Sequence, residues 1–383
     1  MSAGVEATTD TAPLALRSID HGAIARNVAR LLDASGVPLM AVVKSDGFGH
    51  GAIEVARTAL AAGASWLGVA TIEEALALRA AAIAAPIFAW LVDPWCDLDA
   101  AVRRGITLSC ANLGTLAAIE DAANRAQLVA DVHLELDTGM ARGGSSPVAW
   151  PSLCAAAAEA EAVGRVRVSG VWSHLAMAGL PEAQAVSAPV DALLARLALA
   201  QAAGLSPRDV HIANSAGILA HPSTHLTMVR SAAALYGIET VAGRSHGLEP
   251  AMRLTSRVTQ LRRIPAGTGV GYLHTWRAPV ATTLALIPIG YADGVPRALS
   301  EGGSVSIDGV RCPVRGTISM DQLVVEVPDA TRIADEVVLI GDPRRGEPTA
   351  AEWAALAGTL PHDILAGIGA RVDLRHHTDG GIE

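Results

Sequence analysis

Lys44, in the stretch AVVKSDGFGHG (residues 41–51), is the sole lysine of a 383-residue chain. Arginine keeps its proton at any accessible pH, whereas a lysine in a protected site sheds its proton and attacks a carbonyl, forming a Schiff base. An Arg-rich composition explains why lysines are scarce, but not why the remaining one lies between a short apolar run and a glycine-rich turn. Further along come residues of complementary chemistry: Asp137 and Arg142, His174, Asn214 and Ser215, and Arg230. A guanidinium suits a carboxylate, an imidazole suits proton transfer, and a hydroxyl beside free amides suits an anion.

These residues need elements to bring them together. Short apolar runs alternate with stretches of helical period from about residue 15 to 240, which is the pattern of repeated βα units. Eight strands are predicted: 39–43, 66–70, 86–91, 107–110, 132–136, 168–172, 210–212 and 226–229, with helices such as 72–82 and 189–202 between them. Eight is the number that closes a (β/α)8 TIM barrel, whose chemistry sits at the carboxyl ends of its strands. Lys44 follows the first strand, Asp137 and Arg142 the fifth, His174 the sixth, Asn214 and Ser215 the seventh, and Arg230 the eighth. The loops after the last two strands hold a phosphate in many such barrels. A lysine facing that phosphate site across the barrel suggests pyridoxal 5′-phosphate, whose aldehyde an amine captures. Beyond Gly247 the texture turns to alternating patterns over 257–264, 282–289, 305–307 and 323–327, with one late helix over 349–357. The α/β chain is therefore divided into a cofactor-binding barrel over 1–246 and a mainly β domain over 247–383.

Composition narrows the class. The formal charge of −9 and dispersed arginines exclude a clustered basic face for nucleic acid. Cys96, Cys110, Cys154 and Cys312 share no metal-ligand spacing and read as buried thiols in a reducing compartment. The first residues lack the basic and apolar regions of a signal peptide, and the longest uncharged apolar run, 80–92, is too short for a membrane span. The expectation is a cytoplasmic enzyme for a small molecule, with no metal, nucleic-acid or membrane partner.

Eight collinear motifs make the chain resemble the alanine racemase family: AVVKSDGFGHG, LELDTGMARGG, WSHLA, HIANSAG and MVRSAAALYG, then GTGVGYLHTW, IPIGYADGVPR and GTISMDQ. The resemblance implies a pyridoxal-phosphate barrel, a C-terminal β domain, and a head-to-tail homodimer in which each site is completed by the partner's β domain. Lys44 is implied to bind the cofactor and act as one base, and Tyr272 of the partner subunit as the other. Two bases on opposite faces are what inversion at an α carbon requires. Further cofactor contacts are implied for His174, Asn214, Ser215 and Arg230, and for Ala232, Ala233 and Tyr236. Arg142 and the backbone near Met320 are implied to hold the substrate carboxylate, with Glu135, His211, Tyr291, Asp321 and His362 in support.

Four positions depart from the family pattern. Phe48 replaces a tyrosine that donates to the phosphate, and Ala232 replaces a glycine whose amide meets it. Glu135 stands where many members carry a carbamylated lysine, and is expected to orient Arg142 directly. His362 replaces a tyrosine that narrows the substrate entrance, so serine or another small amino acid is an alternative substrate. A pyridoxal-phosphate decarboxylase, a degenerate paralogue and a noncatalytic single-barrel cofactor carrier are the competing readings; the carrier lacks a counterpart to residues 247–383. A racemase serves cell-wall precursor supply, through D-alanine, or a specialised pathway.

Overall fold

The computed structural model describes residues 13–182 and 184–378. They fall into two compact units, one of Asp20–Ala251, the other of Met252–His377 with the residues up to Ile19. Nine strands are met up to residue 231: β1 (Ala15–Asp20), β2 (Leu39–Val42), β3 (Trp66–Val69), β4 (Ile87–Ala89), β5 (Thr107–Cys110), β6 (Ala130–Glu135), β7 (Val166–Trp172), β8 (Asp209–His211) and β9 (Val229–Ser231). Strands β2 to β9 form one eight-stranded sheet whose paired neighbours are all parallel, with β2 lying between β3 and β9. The circuit closes where the Thr227 and Arg230 amides donate to the Val210 and Ala213 carbonyls, both at 3.2 Å. This is the expected (β/α)8 barrel. Its strands carry continuous buried apolar residues, such as Leu39–Val42, because helices cover the outside and side chains fill the inside.

Local signals set the helix ends. Asp20 caps His21–Ser35 and Gly36 ends it in a left-handed conformation. Thr71 and Glu74 form a reciprocal capping box on Ile72–Ala80. The helix expected to start at Pro189 begins at Gln184, because Val186 is buried and draws the preceding turn into the core. The last barrel strand also shifts. Leu226 turns the chain at φ +48°, so pairing begins at Val229 and Arg230 lies inside the strand rather than after it.

The second unit holds a six-stranded sheet in the order Val310–Pro313, Ser304–Ile307, Glu336–Ile340, Met252–Arg257, β1, Asp373–His377. A three-stranded sheet joins Gln260–Ile264, Thr282–Ile287 and Leu323–Val327. It is mainly β, as expected, with helices Ala350–Ala357 and Pro361–Ala366. One assignment is corrected: β1, counted with the barrel from sequence, pairs antiparallel with Met252–Arg257 and belongs to this sheet. Of the thiols, Cys110, Cys154 and Cys312 are buried while Cys96 is partly exposed, which corrects the expectation for that residue. Among the described residues no helix is long and apolar enough to cross a membrane.

Candidate active site

Lys44 leaves β2 half-buried, with its Nζ 5.5 Å from the centre of the Trp90 ring. Burial lowers its pKa below the ordinary 10.5, and the charge of Arg142 lowers it further against the opposing pull of Glu74. A neutral amine, the nucleophilic form, is thereby favoured. The chain that follows is unusual: Ser45, Asp46, Gly47 and Phe48 all take φ between +51° and +60°, a left-handed turn containing three residues with side chains. Several bonds hold it. Glu74 Oε1 accepts from the Ser45 amide at 2.6 Å, Asp46 Oδ1 accepts from the Ala52 amide at 2.9 Å, and the Asp46 carbonyl accepts from the Gly51 amide at 2.9 Å. Phe48 is buried and stacks on Tyr236 at 5.0 Å. The Tyr236 hydroxyl donates to the Val42 carbonyl at 3.0 Å, so its proton supports β2 at the point where Lys44 departs. Glu74 was not singled out in the sequence, although TIEE at 71–74 has the capping-box spacing that marks it.

Arg230 is buried beside Trp172, 5.1 Å from its ring. One terminal nitrogen lies 2.7 Å from His211 Nδ1; the other lies 2.9 Å from the Ser173 carbonyl and 3.2 Å from His174 Nδ1. Because a guanidinium only donates, both imidazoles accept at Nδ1 and carry their proton on Nε2. Burial, then the charges of Arg230, Arg142 and Lys44, push His174 down to about 3. Burial brings Arg230 down to about 9, so it stays charged at neutral pH.

An anion cradle forms where β9 ends. Ser215 Oγ lies 2.9 Å from Ser231 Oγ and accepts from the amides of Ala232 at 3.2 Å and Ala234 at 3.3 Å. Asn214 caps the short helix that Ser215 begins by accepting from the Gly217 amide, and donates to the Leu175 carbonyl. The register pairs Ala41 of β2 with Ser231 of β9, so Lys44 and the cradle leave neighbouring strands. The expectation that they face each other across the barrel is corrected accordingly, since the first and last strands of a closed barrel are adjacent.

Arg142 rides a loop that Asp137 folds by accepting from the amides of Gly139, Met140 and Ala141 at 2.9 to 3.1 Å, bonds that lower its own pKa against the cost of desolvation. Gly144 has φ +92°, and a Cβ there would lie 2.5 Å from the Leu136 carbonyl carbon, so only glycine fits. Arg142 itself is exposed and, among the described residues, has no hydrogen-bonded partner. Glu135 does not bond to it as expected. Its carboxylate takes a 3.4 Å bond from Ser109 Oγ, burial raises its pKa, and it acts on Arg142 through charge alone. The reason is geometric: the carboxylate packs against Gly143, whose Cβ position lies 3.1 Å from Oε1.

The second unit gathers its own candidates. Tyr272 is 69% exposed on a 3-10 turn over Tyr272–His274, and the preceding Gly271 packs against Thr317. Tyr291 and Ala292 donate their amides to the carbonyls of Ser319 and Met320, at 3.1 and 2.9 Å. The segment 317–321 thus joins the Tyr272 and Tyr291 motifs, and Arg371 anchors it through Asp321 at 2.8 Å. His362 lies, partly buried, in the helix Pro361–Ala366.

Residues 19–240 match the alanine racemase N-terminal domain and residues 251–376 the alanine racemase C-terminal domain. The chain belongs to the alanine racemase family. It is similar to the alanine racemase of Salinispora arenicola, at 44% identity over 353 residues covering 92% of this chain and 95% of that one. In structure it resembles the alanine racemase of a D-cycloserine-producing Streptomyces lavendulae, with a TM-score of 0.93, 40% identity, and coverage of 97% and 99%. It also resembles an alanine racemase of Bartonella henselae solved with covalently bound pyridoxal phosphate, with a TM-score of 0.86, 28% identity, and coverage of 96% and 100%.

Against the alanine racemase pattern, Phe48 offers the cradle no hydroxyl, and its ring is instead spent on Tyr236. Ala232 keeps its amide aimed at Ser215 Oγ, so the added methyl does not remove the donor. The donor set suits a phosphorylated aldehyde: a half-buried amine of lowered pKa, a buried guanidinium, and the Ser215 hydroxyl, on whose oxygen the amides of Ala232 and Ala234 converge.

Proposed function

We propose that the protein is a pyridoxal-5′-phosphate-dependent alanine racemase, interconverting L- and D-alanine as a cytoplasmic homodimer. The observation that carries this reading is Lys44: the only ε-amine in the chain stands at the carboxyl end of β2, beside the cradle that follows β9. Lys44 would hold the cofactor with Arg230, Ser215 and the amides beyond Ser231, including those of Ala232 and Ala233, while His174, Asn214 and Tyr236 position these groups. The bound cofactor supplies a carbonyl that captures the substrate amine and a conjugated ring that acidifies the α C–H.

The residues divide the rest of the work. Lys44 Nζ, with its pKa lowered, takes or returns the α proton on one face. The phenol oxygen of Tyr272 of the partner subunit does so on the other. His174 has its Nδ1 occupied by Arg230, so its Nε2–H is the donor left to steady that phenol oxygen when it is charged. Arg142, with no hydrogen-bonded partner among the described residues, holds the substrate carboxylate with the backbone at Met320 of the partner subunit. Arg230, which keeps its proton at neutral pH, would hold the cofactor ring as a donor that does not give that proton up, so the ring would supply a weaker electron sink and side reactions such as decarboxylation or transamination would be disfavoured. A head-to-tail dimer is supported by the exposure of Tyr272, Leu273 and Met320 at 69%, 92% and 53%, an apolar group that a second copy would cover.

The test is a chiral assay of the purified dimer with added cofactor on L- and D-alanine, L-serine and larger amino acids. Racemisation of alanine that is lost in both Lys44→Ala and Tyr272→Phe is expected; its absence in the unmodified protein refutes the proposal. His362, smaller than the tyrosine usual at its position, favours a second substrate, and measurable serine turnover is expected. Strict alanine selectivity would count against that role for His362.

A further inference from the structure

Below Arg230, inside the barrel, runs a line of polar groups for which the proposed reaction has no direct use. His211 Nε2 lies 2.9 Å from His133 Nδ1, and His133 Nε2 lies 3.9 Å from Asp209 Oδ2. Both rings are fully buried, whereas the Asp209 side chain, at the start of β8, is 25% exposed. The line therefore runs along the barrel from solvent at the amino end of a strand to the guanidinium near the carboxyl end.

We infer that His133 and Asp209 are positioning residues which, through His211, fix the tautomer and orientation that hold the Arg230 guanidinium in place. Arg230 has only donors, so His211 must present a bare Nδ1 to it and carry its proton on Nε2. That proton points at His133 Nδ1, which must then be bare, and places the His133 proton on Nε2. There, among the described residues, it has no hydrogen-bond partner, and the Asp209 carboxylate is the acid it faces. One fixed donor at the top dictates every proton below it.

The surroundings are shaped for these rings. Phe88 lies 5.0 Å from His133 and edge-on to His211 at 5.6 Å, and Trp172 stacks on His211 at 6.0 Å and 10°. A Cβ on Gly170 would come within 2.6 Å of the His133 ring, so glycine is required beside it. A charged ring would put two N–H groups face to face in this apolar setting. Burial accordingly takes His133 down to about 4 and His211 well below its ordinary value. Aliphatic side chains would fill such a core at lower desolvation cost, but they would leave one terminal nitrogen of the guanidinium without the acceptor that His211 supplies. The hydrogen-bonded run from Arg230 through His211 to His133 instead specifies one arrangement of protons.

The tautomer assignment stands independently of the proposed activity, and only the kinetic arm rests on it. In the full-length protein with ring-15N histidine, multiple-bond correlation spectra assigned by single substitutions should show His133 and His211 as Nε2-protonated neutral rings at neutral pH. A proton on Nδ1, or an imidazolium, at either ring overturns the inference. His133→Asn keeps an acceptor near the Nδ1 position and His133→Leu removes it. In the leucine variant His211 should leave its single tautomer and kcat should fall about ten-fold with KM little changed, with asparagine restoring most of it. A leucine variant with the His211 signals and kcat of the original protein overturns the inference. Should the leucine variant fail to fold, the spectra of the unsubstituted protein still decide. Asp209→Ala should shift the His133 resonances, and no response there overturns the role of Asp209.

Discussion

Replacing Glu74 with alanine should loosen the left-handed turn after Lys44 without touching the lysine itself. The carboxylate accepts from the amides of Ser45 at 2.6 Å, Ala70 at 2.8 Å and Thr71 at 3.2 Å, and so ties the end of β2 to the turn after β3. The bond to exposed Ser45, discounted for solvent, is worth about 1 kcal/mol. Loss of the capping box costs about 1 kcal/mol more. The turn has little reserve, because Ser45, Asp46 and Phe48 each carry about 1–2 kcal/mol of left-handed strain. A loss of about 2 kcal/mol corresponds to local opening increased about 30-fold. Amide hydrogen exchange followed by mass spectrometry over residues 41–51 reads this directly. Glu74→Gln, which retains an acceptor, should give a smaller increase. Cofactor affinity should fall in parallel, since the amine swings with the turn. Exchange in Glu74→Ala within two-fold of the original protein, at unchanged affinity, would refute the idea that Glu74 clasps this turn.

Three other outcomes follow from the geometry. His133 and His174 have folded pKa values of about 4 and about 3, below the unfolded 6.5, so on acidification below pH 6.5 the unfolded chain takes up their protons first. Stability fully present above pH 6.5 should be lost progressively, at about 1.4 kcal/mol per pH unit for each site, down to about pH 4 for His133 and about pH 3 for His174, and a denaturation midpoint that is flat between pH 6.5 and 4 would refute this. Gly144→Ala forces a Cβ to 2.5 Å from backbone at φ +92° and should displace the Arg142 loop, raising KM for alanine more than it lowers kcat; unchanged KM would show that the loop does not seat the substrate. Glu135→Gln removes a buried charge that acts on Arg142 and Arg230 and should alter KM or turnover, with both unchanged ruling out an electrostatic role.

Much of the site could be read from residue type and place. Lys44, His174 and Ser215 follow strands whose apolar runs are plain, and barrel geometry then brings them to one rim. Other features depend on partners distant in the chain. ALRSID at 15–20 has no clean alternation, so neither β1 nor its pairing with Met252–Arg257 is legible in the sequence. Gly47 and Gly49 signal a turn, whereas nothing in Ser45, Asp46 or Phe48 announces a left-handed run. A lone histidine within ADVHLE reads as a core residue until β8 brings His211 to within 2.9 Å of it. Glu135 had the right neighbourhood but the wrong partner, because hydrogen-bond direction is decided by side-chain rotamers rather than by spacing.

The pairing of β1 with a strand on the far side of the whole barrel sequence has a consequence during synthesis. At about 5–20 residues per second, β1 emerges tens of seconds before Met252–Arg257 exists to receive it. Through that interval its ladder is open on both sides, because both of its neighbours in the sheet, Met252–Arg257 and Asp373–His377, follow the whole barrel in sequence. A nascent chain paused in this state exposes an unmatched strand edge, the site at which truncated products would begin to aggregate.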